Sequence, residues 1–207
     1  MKENLTEIVF ILDRSGSMAT LEADTIGGFN SFVEKQKLLD GEARMTTILF
    51  DDTRTILHNA VDIKELPPLT NKEYYARGTT ALYDAVGEAI DNVGKRLSST
   101  PEEERPSKVI FCITTDGYEN ASRHYYREEV KEMIQHQTDK YGWEFVFLGA
   151  NIDAEEVGES MGFAPQCAVN YTATAAGTKS VYASLDAAVS SVRSTGSLAF
   201  NWAETVE

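Results

Sequence analysis

Basic residues are scarce in this chain. Its 207 residues carry 19 Lys and Arg against 33 Asp and Glu, a formal net charge of −14. Affinity for DNA or RNA comes largely from Lys and Arg neutralising phosphates, and no local basic stripe offsets the acidic field, which argues against a nucleic-acid partner. The same repulsion argues against an anionic membrane surface. Long hydrophobic runs are also missing: the opening stretch MKENLTEIVFILDRSGS is interrupted by Asp13 and Arg14 before it reaches the length of a signal peptide or a membrane span. The expected setting is therefore soluble and cytoplasmic. Cysteine is limited to Cys112 and Cys167. Each sits in an apolar, strand-like run, the habitat of buried free thiols, and no structural disulfide is expected. Internal repeats, low-complexity tracts and linkers are lacking. Gly27-Gly28 has no GxGxxG context, so no nucleotide is implied, and DRSGS is not the G-x-S-x-G of a serine hydrolase.

What is present is enough apolar material for a substantial core, 42% hydrophobic and 10% aromatic. It is arranged in alternation. Ile8 to Leu12 reads as a buried strand, and Ile26, Phe29, Phe32 and Val33 recur at helical spacing; Met45 to Phe50 reads as a strand with a short hairpin partner, Thr53 to Leu57. The stretch from Val61 to Arg77 reads as irregular and polar. Leu82, Ala85, Val86, Ala89, Ile90, Val93 and Leu97 then form one apolar helix face, and Val109 to Thr114 is the continuous run of a strand covered on both sides. A helix through Val130 and Ile134 stops at Gly142. After it come a strand at Trp143 to Leu148, a short helix from Ala154 to Met161, a weak strand at Cys167 to Tyr171 and a final helix through Val181 to Val192. This order predicts an α/β fold: a doubly wound, mostly parallel open sheet of about six strands, one of them short and antiparallel, with helices on both faces. One domain is expected over 1–207, with a core at about 5–194 and a tail, 195–207, that packs back through Phe200 and Trp202.

In such sheets ligands bind beyond the carboxyl ends of the strands, where the strand order reverses. The residues that follow the buried strands are therefore the candidates. The first strand runs into Asp13-Arg14-Ser15-Gly16-Ser17, the helix at Leu82 is preceded by Gly78-Thr79-Thr80, and the central strand ends in Thr115-Asp116-Gly117. Together these supply two carboxylates and several hydroxyls, with no thiol or imidazole. An all-oxygen set of this kind suits a hard divalent cation such as Mg²⁺, with Mn²⁺ or Ca²⁺ as substitutes, and makes zinc a poor candidate. Two carboxylates bring the metal close to neutral and leave it able to take one more anionic oxygen.

The segments ILDRSGSM, RGTTALYDAV and FCITTDG resemble the three pieces of the metal-ion-dependent adhesion site (MIDAS) of von Willebrand factor type A (vWA) domains: DxSxS, a downstream Thr and a downstream Asp. The order of strands and helices agrees over nearly the whole chain. Small intracellular bacterial members are the most similar, with TIGGFNSFVEKQK and WEFVFLGANIDA also alike. The resemblance implies a Rossmann-like vWA fold, metal ligands at Asp13, Ser15, Ser17, Thr80 and Asp116, no catalytic residues, and a protein partner that gives the metal an Asp or Glu carboxylate. Thr80 is preferred to Thr79 because the family's Thr directly precedes the small and apolar start of the helix, here Ala81-Leu82. A monomer is expected for the isolated domain, with no nucleic acid and no membrane partner.

The competing reading is an enzyme. Asp13 at a strand end, with Thr114 or Thr115 for phosphate and Asp116 for Mg²⁺, has the layout of a phosphatase that uses Asp13 as nucleophile. Such enzymes place a second Asp, the usual general acid, where this chain has Ser15. His58, His124 and His136 are expected in solvent, His124 and Glu119 close enough to the loop after Asp116 to be minor ligand candidates; Glu128, Glu129 and Glu132 are expected to form an exposed helix face.

Overall fold

The computed structural model describes residues 1–206; of the tail expected at 195–207, Glu207 lies outside the described residues. Among these are six strands and five α-helices: β1 (Lys2–Asp13), α1 (Glu22–Lys37), β2 (Glu42–Phe50), β3 (Arg54–Asp62), α2 (Leu82–Ser99), β4 (Pro106–Thr115), α3 (Arg127–Tyr141), β5 (Glu144–Ala150), α4 (Ala154–Ser160), β6 (Ala168–Tyr171) and α5 (Ala175–Thr195). The strands form one sheet in the order β3-β2-β1-β4-β5-β6. Only β3 runs antiparallel, as the hairpin partner of β2.

β1 shows why the apolar runs are continuous. Successive side chains of a strand point to opposite faces. Ile8, Phe10 and Leu12 enter the layer closed by α1 and α5, against Phe29, Phe32 and Leu185, while Val9 and Ile11 enter the layer closed by α2 and α3, with Ala85, Ile90 and Ile134. Both faces are dry, so every position from Leu5 to Leu12 except the polar pair Thr6 and Glu7 must be apolar, and those two are buried as well. Glu7 is tolerated because Arg96 Nη2 donates to its carboxylate at 2.7 Å and Thr46 Oγ1 at 3.0 Å. Gly28 sets the α1–α5 spacing: a Cβ there would stand 2.1 Å from the Tyr182 ring, whereas one on Gly27 would meet open space, so Gly28 alone of the pair serves helix packing.

Four expectations are corrected. The 61–77 stretch is neither irregular throughout nor polar inside: Val61 and Asp62 extend β3, Ile63–Glu65 forms a 3-10 turn, and Leu66, Leu69 and Tyr74 are buried. These apolar residues have no helical or strand period, because they seal the sheet from an irregular backbone. Cys167 lies on a 3-10 turn before β6, not in the strand, although both cysteines are free and buried as expected. In the tail Trp202 is buried, its Nε1 donating to the Gln166 carbonyl at 2.9 Å, whereas Phe200 is 92% exposed. His58 is half-buried beside Thr47, its Nδ1 3.0 Å from Oγ1, while His124 and His136 are exposed. No helix of the described residues is long and apolar enough to cross a membrane.

Candidate metal centre

The strand order reverses between β1 and β4, which lie side by side with Leu12 opposite Thr114. Their carboxyl ends therefore open the crevice into which the loops project. Asp13 is the last residue of β1, and its side chain is wholly buried. One carboxylate oxygen accepts the Ser15 N–H at 2.6 Å and the other accepts the Thr115 hydroxyl at 2.6 Å. Ser15 Oγ lies 3.1 Å from Ser17 Oγ, and the Ser17 hydroxyl donates to Asp116 Oδ1 at 2.5 Å. Asp13, Ser15, Ser17 and Asp116 are thus linked in one chain of polar contacts.

Thr80 joins them from the α2 side. It is buried and Thr79 is exposed. A Cβ on Gly117 would meet Thr80 Oγ1 at 3.4 Å and Ser17 Oγ at 3.8 Å, so both hydroxyls face the backbone next to Asp116. The backbone fixes this approach: Thr80 N donates to Asn120 Oδ1 at 2.9 Å, Asn120 N to the Thr80 carbonyl at 3.0 Å, and Gly16 N to the Gly78 carbonyl at 3.2 Å. All five residues of the sequence motif therefore gather at one end of the sheet. The two minor candidates do not join them. Glu119 is committed to its own loop and to the start of α2, accepting the backbone N–H groups of Ala121, Ser122 and Tyr83 and the Ser122 hydroxyl, and His124 is turned to solvent.

The charge of the cradle is unbalanced. Burial pushes the Asp13 carboxyl up to about 6; the bonds from Thr115 and Ser15 oppose this and the nearby Asp116 charge adds to it. Asp116 is also raised by burial, against the pull of Ser17. No ion pair among the described residues reaches either group. Asp51, a short distance along the same rim, shows the alternative: burial works against its charge, but bonds from Arg77 and Thr53 and the charge of Arg14 hold it below the usual carboxylate range. Arg14 Nε and Arg77 Nε both donate to Asp51 Oδ2, at 2.8 and 2.7 Å. Two neighbouring desolvated carboxylates with hydroxyls around them and no cationic side chain form a set that a hard divalent cation fits. Among the described residues no group of three or more His, Cys, Asp and Glu is placed to hold a metal, so a cation in this cradle would need hydroxyl oxygens where many sites use a third carboxylate.

Three supporting residues were outside the sequence motif. Thr115 orients Asp13 from β4, and its place beside Asp116 in TTDG was the available signal. Tyr74, fully buried, donates its hydroxyl to the Asp13 carbonyl at 2.6 Å. Arg14 turns from the motif to the Asp51 pair. No sequence period marks Tyr74 or Asp51.

No protein-family model matches this chain, and no curated protein matches its sequence. Solved structures do. The chain is similar to the vWF domain of the type V pili tip protein Mfa5 from Porphyromonas gingivalis, with a TM-score of 0.63 and 11% identity over 94% of this chain and 98% of that one. It is similar to the von Willebrand factor type A protein from Catenulispora acidiphila, with a TM-score of 0.57 and 15% identity over 90% of this chain and 42% of that one. Proximal thread matrix protein 1 from the mussel byssus, in a structure with a zinc-occupied MIDAS motif, gives a TM-score of 0.53 and 18% identity over 84% of this chain and 43% of that one. The chain thus spans less than half of the length of the latter two. The likeness establishes the fold: this is the Rossmann-like von Willebrand factor type A architecture.

Proposed function

We propose that the chain is a divalent-metal-dependent protein-binding domain rather than an enzyme, holding Mg²⁺ through Asp13, Ser15, Ser17, Thr80 and Asp116 and taking one Asp or Glu carboxylate from a partner. The observation that carries this reading is the pair of unneutralised buried carboxylates, Asp13 and Asp116, joined by serine hydroxyls at the switch point of the sheet. When bound, the cation supplies positive charge and an open coordination position to an incoming carboxylate. The chain's own residues do the rest: Thr115 and the Ser15 N–H fix the Asp13 carboxylate, Ser17 spans to Asp116, and the Asn120 clamp holds Thr80 against them. Ser17 is exposed while the other four are buried, so it marks the mouth through which a partner reaches the site. The net charge of −14 favours a partner whose acid is isolated on a neutral or basic surface, because a broadly acidic one is repelled at long range.

Nothing in the cradle favours phosphoryl transfer. Ser15 stands where a general acid is needed to protonate the leaving group. The test is thermal melting with Mg²⁺ and with EDTA. Free metal at about 100 Kd adds roughly 2.7 kcal/mol to the stability of a fold that alone binds it. Wild type is expected to show the shift, and Asp13→Ala and Asp116→Ala are expected to lose it. A clear Mg²⁺-dependent shift in both variants places the site elsewhere. Efficient aryl phosphate turnover abolished by Asp13→Asn would restore the enzyme reading.

A further inference from the structure

Two exposed aromatic side chains lie on chain segments that contact the cradle. Tyr118, 55% exposed, follows Gly117, whose Cβ position borders Thr80 and Ser17. Its hydroxyl accepts the Asp153 N–H at 3.1 Å, which bridges the loop after β4 to the start of α4. Tyr75, 41% exposed, follows the Tyr74 that holds the Asp13 carbonyl. The Arg77 and Arg14 guanidinium carbons lie 5.5 and 5.9 Å from its ring centroid, and Arg77 Nη1 donates to its hydroxyl at 3.3 Å.

Single exposed tyrosines are ordinary on protein surfaces. These two differ in place and in constraint. Each is on a segment that directly contacts a cradle residue, and each is tethered through its hydroxyl, so a partner meets rings that are already positioned. Tethered tyrosines offer large amphipathic area at low cost in conformational entropy, the property that makes Tyr common among interface anchors. The walls also differ in charge. Arg77 borders Tyr75, whereas Asp153, Glu155 and Glu156 follow on the Tyr118 side, so a basic side chain is accepted near Tyr118 and a further acid is not.

We propose that Tyr118 and Tyr75 are the two aromatic walls of the docking surface, and that the partner carries an aromatic or aliphatic side chain next to its metal-binding acid, which packs on Tyr118. This rests on the reading of the cradle as a metal and carboxylate site. The partner class is a protein segment with an Asp or Glu beside an apolar residue, not a free carboxylate metabolite.

Two blocked peptides test it, acetyl-Gly-Ser-Asp-Phe-Gly-Ser-amide and the same peptide with Gly in place of Phe, titrated in saturating Mg²⁺ and in EDTA with chemical-shift changes as readout. The Phe peptide is expected to bind wild type about tenfold more tightly, the scale of one interface anchor. Tyr118→Ala is expected to erase that advantage while both peptides still need Mg²⁺. Tyr118→Phe, which keeps the ring and loses the Asp153 bond, is expected to retain most of it. Tyr141→Ala removes an exposed aromatic at the far end of α3 and is expected to change nothing. Equal affinity of the two peptides for wild type, or an advantage that survives Tyr118→Ala, overturns the aromatic wall and leaves the metal reading standing. Failure of both peptides to bind in a Mg²⁺-dependent way overturns the metal reading and this inference with it.

Discussion

Ser17 and Asp116 are 99 positions apart and share a hydrogen bond of 2.5 Å across the carboxyl ends of β1 and β4. With its hydroxyl hydrogen directed at the carboxylate, Ser17 accepts from Ser15 Oγ at 3.1 Å and keeps one further lone pair. In the proposed metal site the same contact would hold Asp116 in place and present an oxygen to the cation. Ser17→Ala removes both. Because Ser17 is exposed, the variant is expected to lose only about 1 kcal/mol of stability in EDTA, the net worth of one hydrogen bond, but a larger part of the Mg²⁺-dependent gain. Differential scanning fluorimetry across a Mg²⁺ series separates the two effects. A full-sized metal shift in Ser17→Ala excludes Ser17 from the ligand set.

Thr115 gives a second test from outside the motif. Its hydroxyl donates to Asp13 Oδ2 and its side chain is wholly buried. Partners that orient a metal ligand typically cost 10–100-fold in metal affinity when lost. Thr115→Val keeps the shape and removes the donor, so metal affinity is expected to fall by about that factor with the ligands intact. Titration calorimetry with MgCl₂ or MnCl₂ measures it. An unchanged Kd shows that the β1 loop alone fixes Asp13.

The ligand candidates were legible in sequence because each directly follows an apolar run or opens an apolar helix face, and strand ends are where a doubly wound sheet collects its loops. Thr80 was preferred to Thr79 only through the resemblance to vWA domains, whose Thr directly precedes the start of the helix; the structure buries the former and exposes the latter. Tyr74, Asp51 and the aromatic walls were not legible. Their contacts are tertiary, Tyr74 with Asp13, Asp51 with Arg14 and Arg77, and Tyr118 with Asp153, and in the 63–80 segment burial follows no period: Leu66, Leu69 and Tyr74 are spaced by three and five positions along an irregular backbone. His58 was misread for a related reason, since β3 is an edge strand whose half-buried residues look like those of a solvated hairpin. Cys167 looked like a strand residue because its neighbours are apolar, but Pro165 starts a 3-10 turn there.

Asp84 couples the loop after Asp116 to pH. Its carboxylate accepts the N–H groups of Arg123, His124 and Tyr125 at 3.0, 2.8 and 2.8 Å, and Arg54 lies 3.5 Å away. Burial works against its charge, but these bonds outweigh it and hold the group below the ordinary value of 3.8. A depressed folded pKa stabilises the fold above the unfolded value, and that contribution is lost as pH falls through the folded one. Asp84→Asn offers one acceptor oxygen and turns an NH₂ group towards N–H donors. It is expected to cost about 1.5–3 kcal/mol at pH 7. The difference from wild type should shrink steadily below pH 3.8, where wild type is losing its own charge. Urea titrations at neutral and acid pH check this, and a gap independent of pH excludes the carboxylate charge as the cause.

The last expectation concerns the backbone of β3. Ala60 has φ of 51°, in the left-handed region, where the register between β2 and β3 shifts; its N–H donates to Thr46 Oγ1 at 3.0 Å. The same Thr46 donates its hydroxyl to Glu7, so the bulge is tied to the buried Glu7–Arg96 pair and cannot relax without disturbing it. An L-residue held in this region costs about 1–2 kcal/mol, since Cβ crowds the carbonyl oxygen. Glycine escapes that clash but loses about 0.5–1 kcal/mol in extra conformational entropy on folding. Ala60→Gly is therefore expected to stabilise the domain by about 0.5–1 kcal/mol, read as a higher urea midpoint at unchanged slope. Ala60→Val adds a branched Cβ at the same φ and is expected to destabilise by more than 1 kcal/mol on the same scale. Asn151, with φ of 55°, supplies the comparison: Asn already tolerates the left-handed region, so Asn151→Gly should change stability little. A midpoint lowered by Ala60→Gly would show that the bulge is held by its methyl packing and not opposed by its backbone.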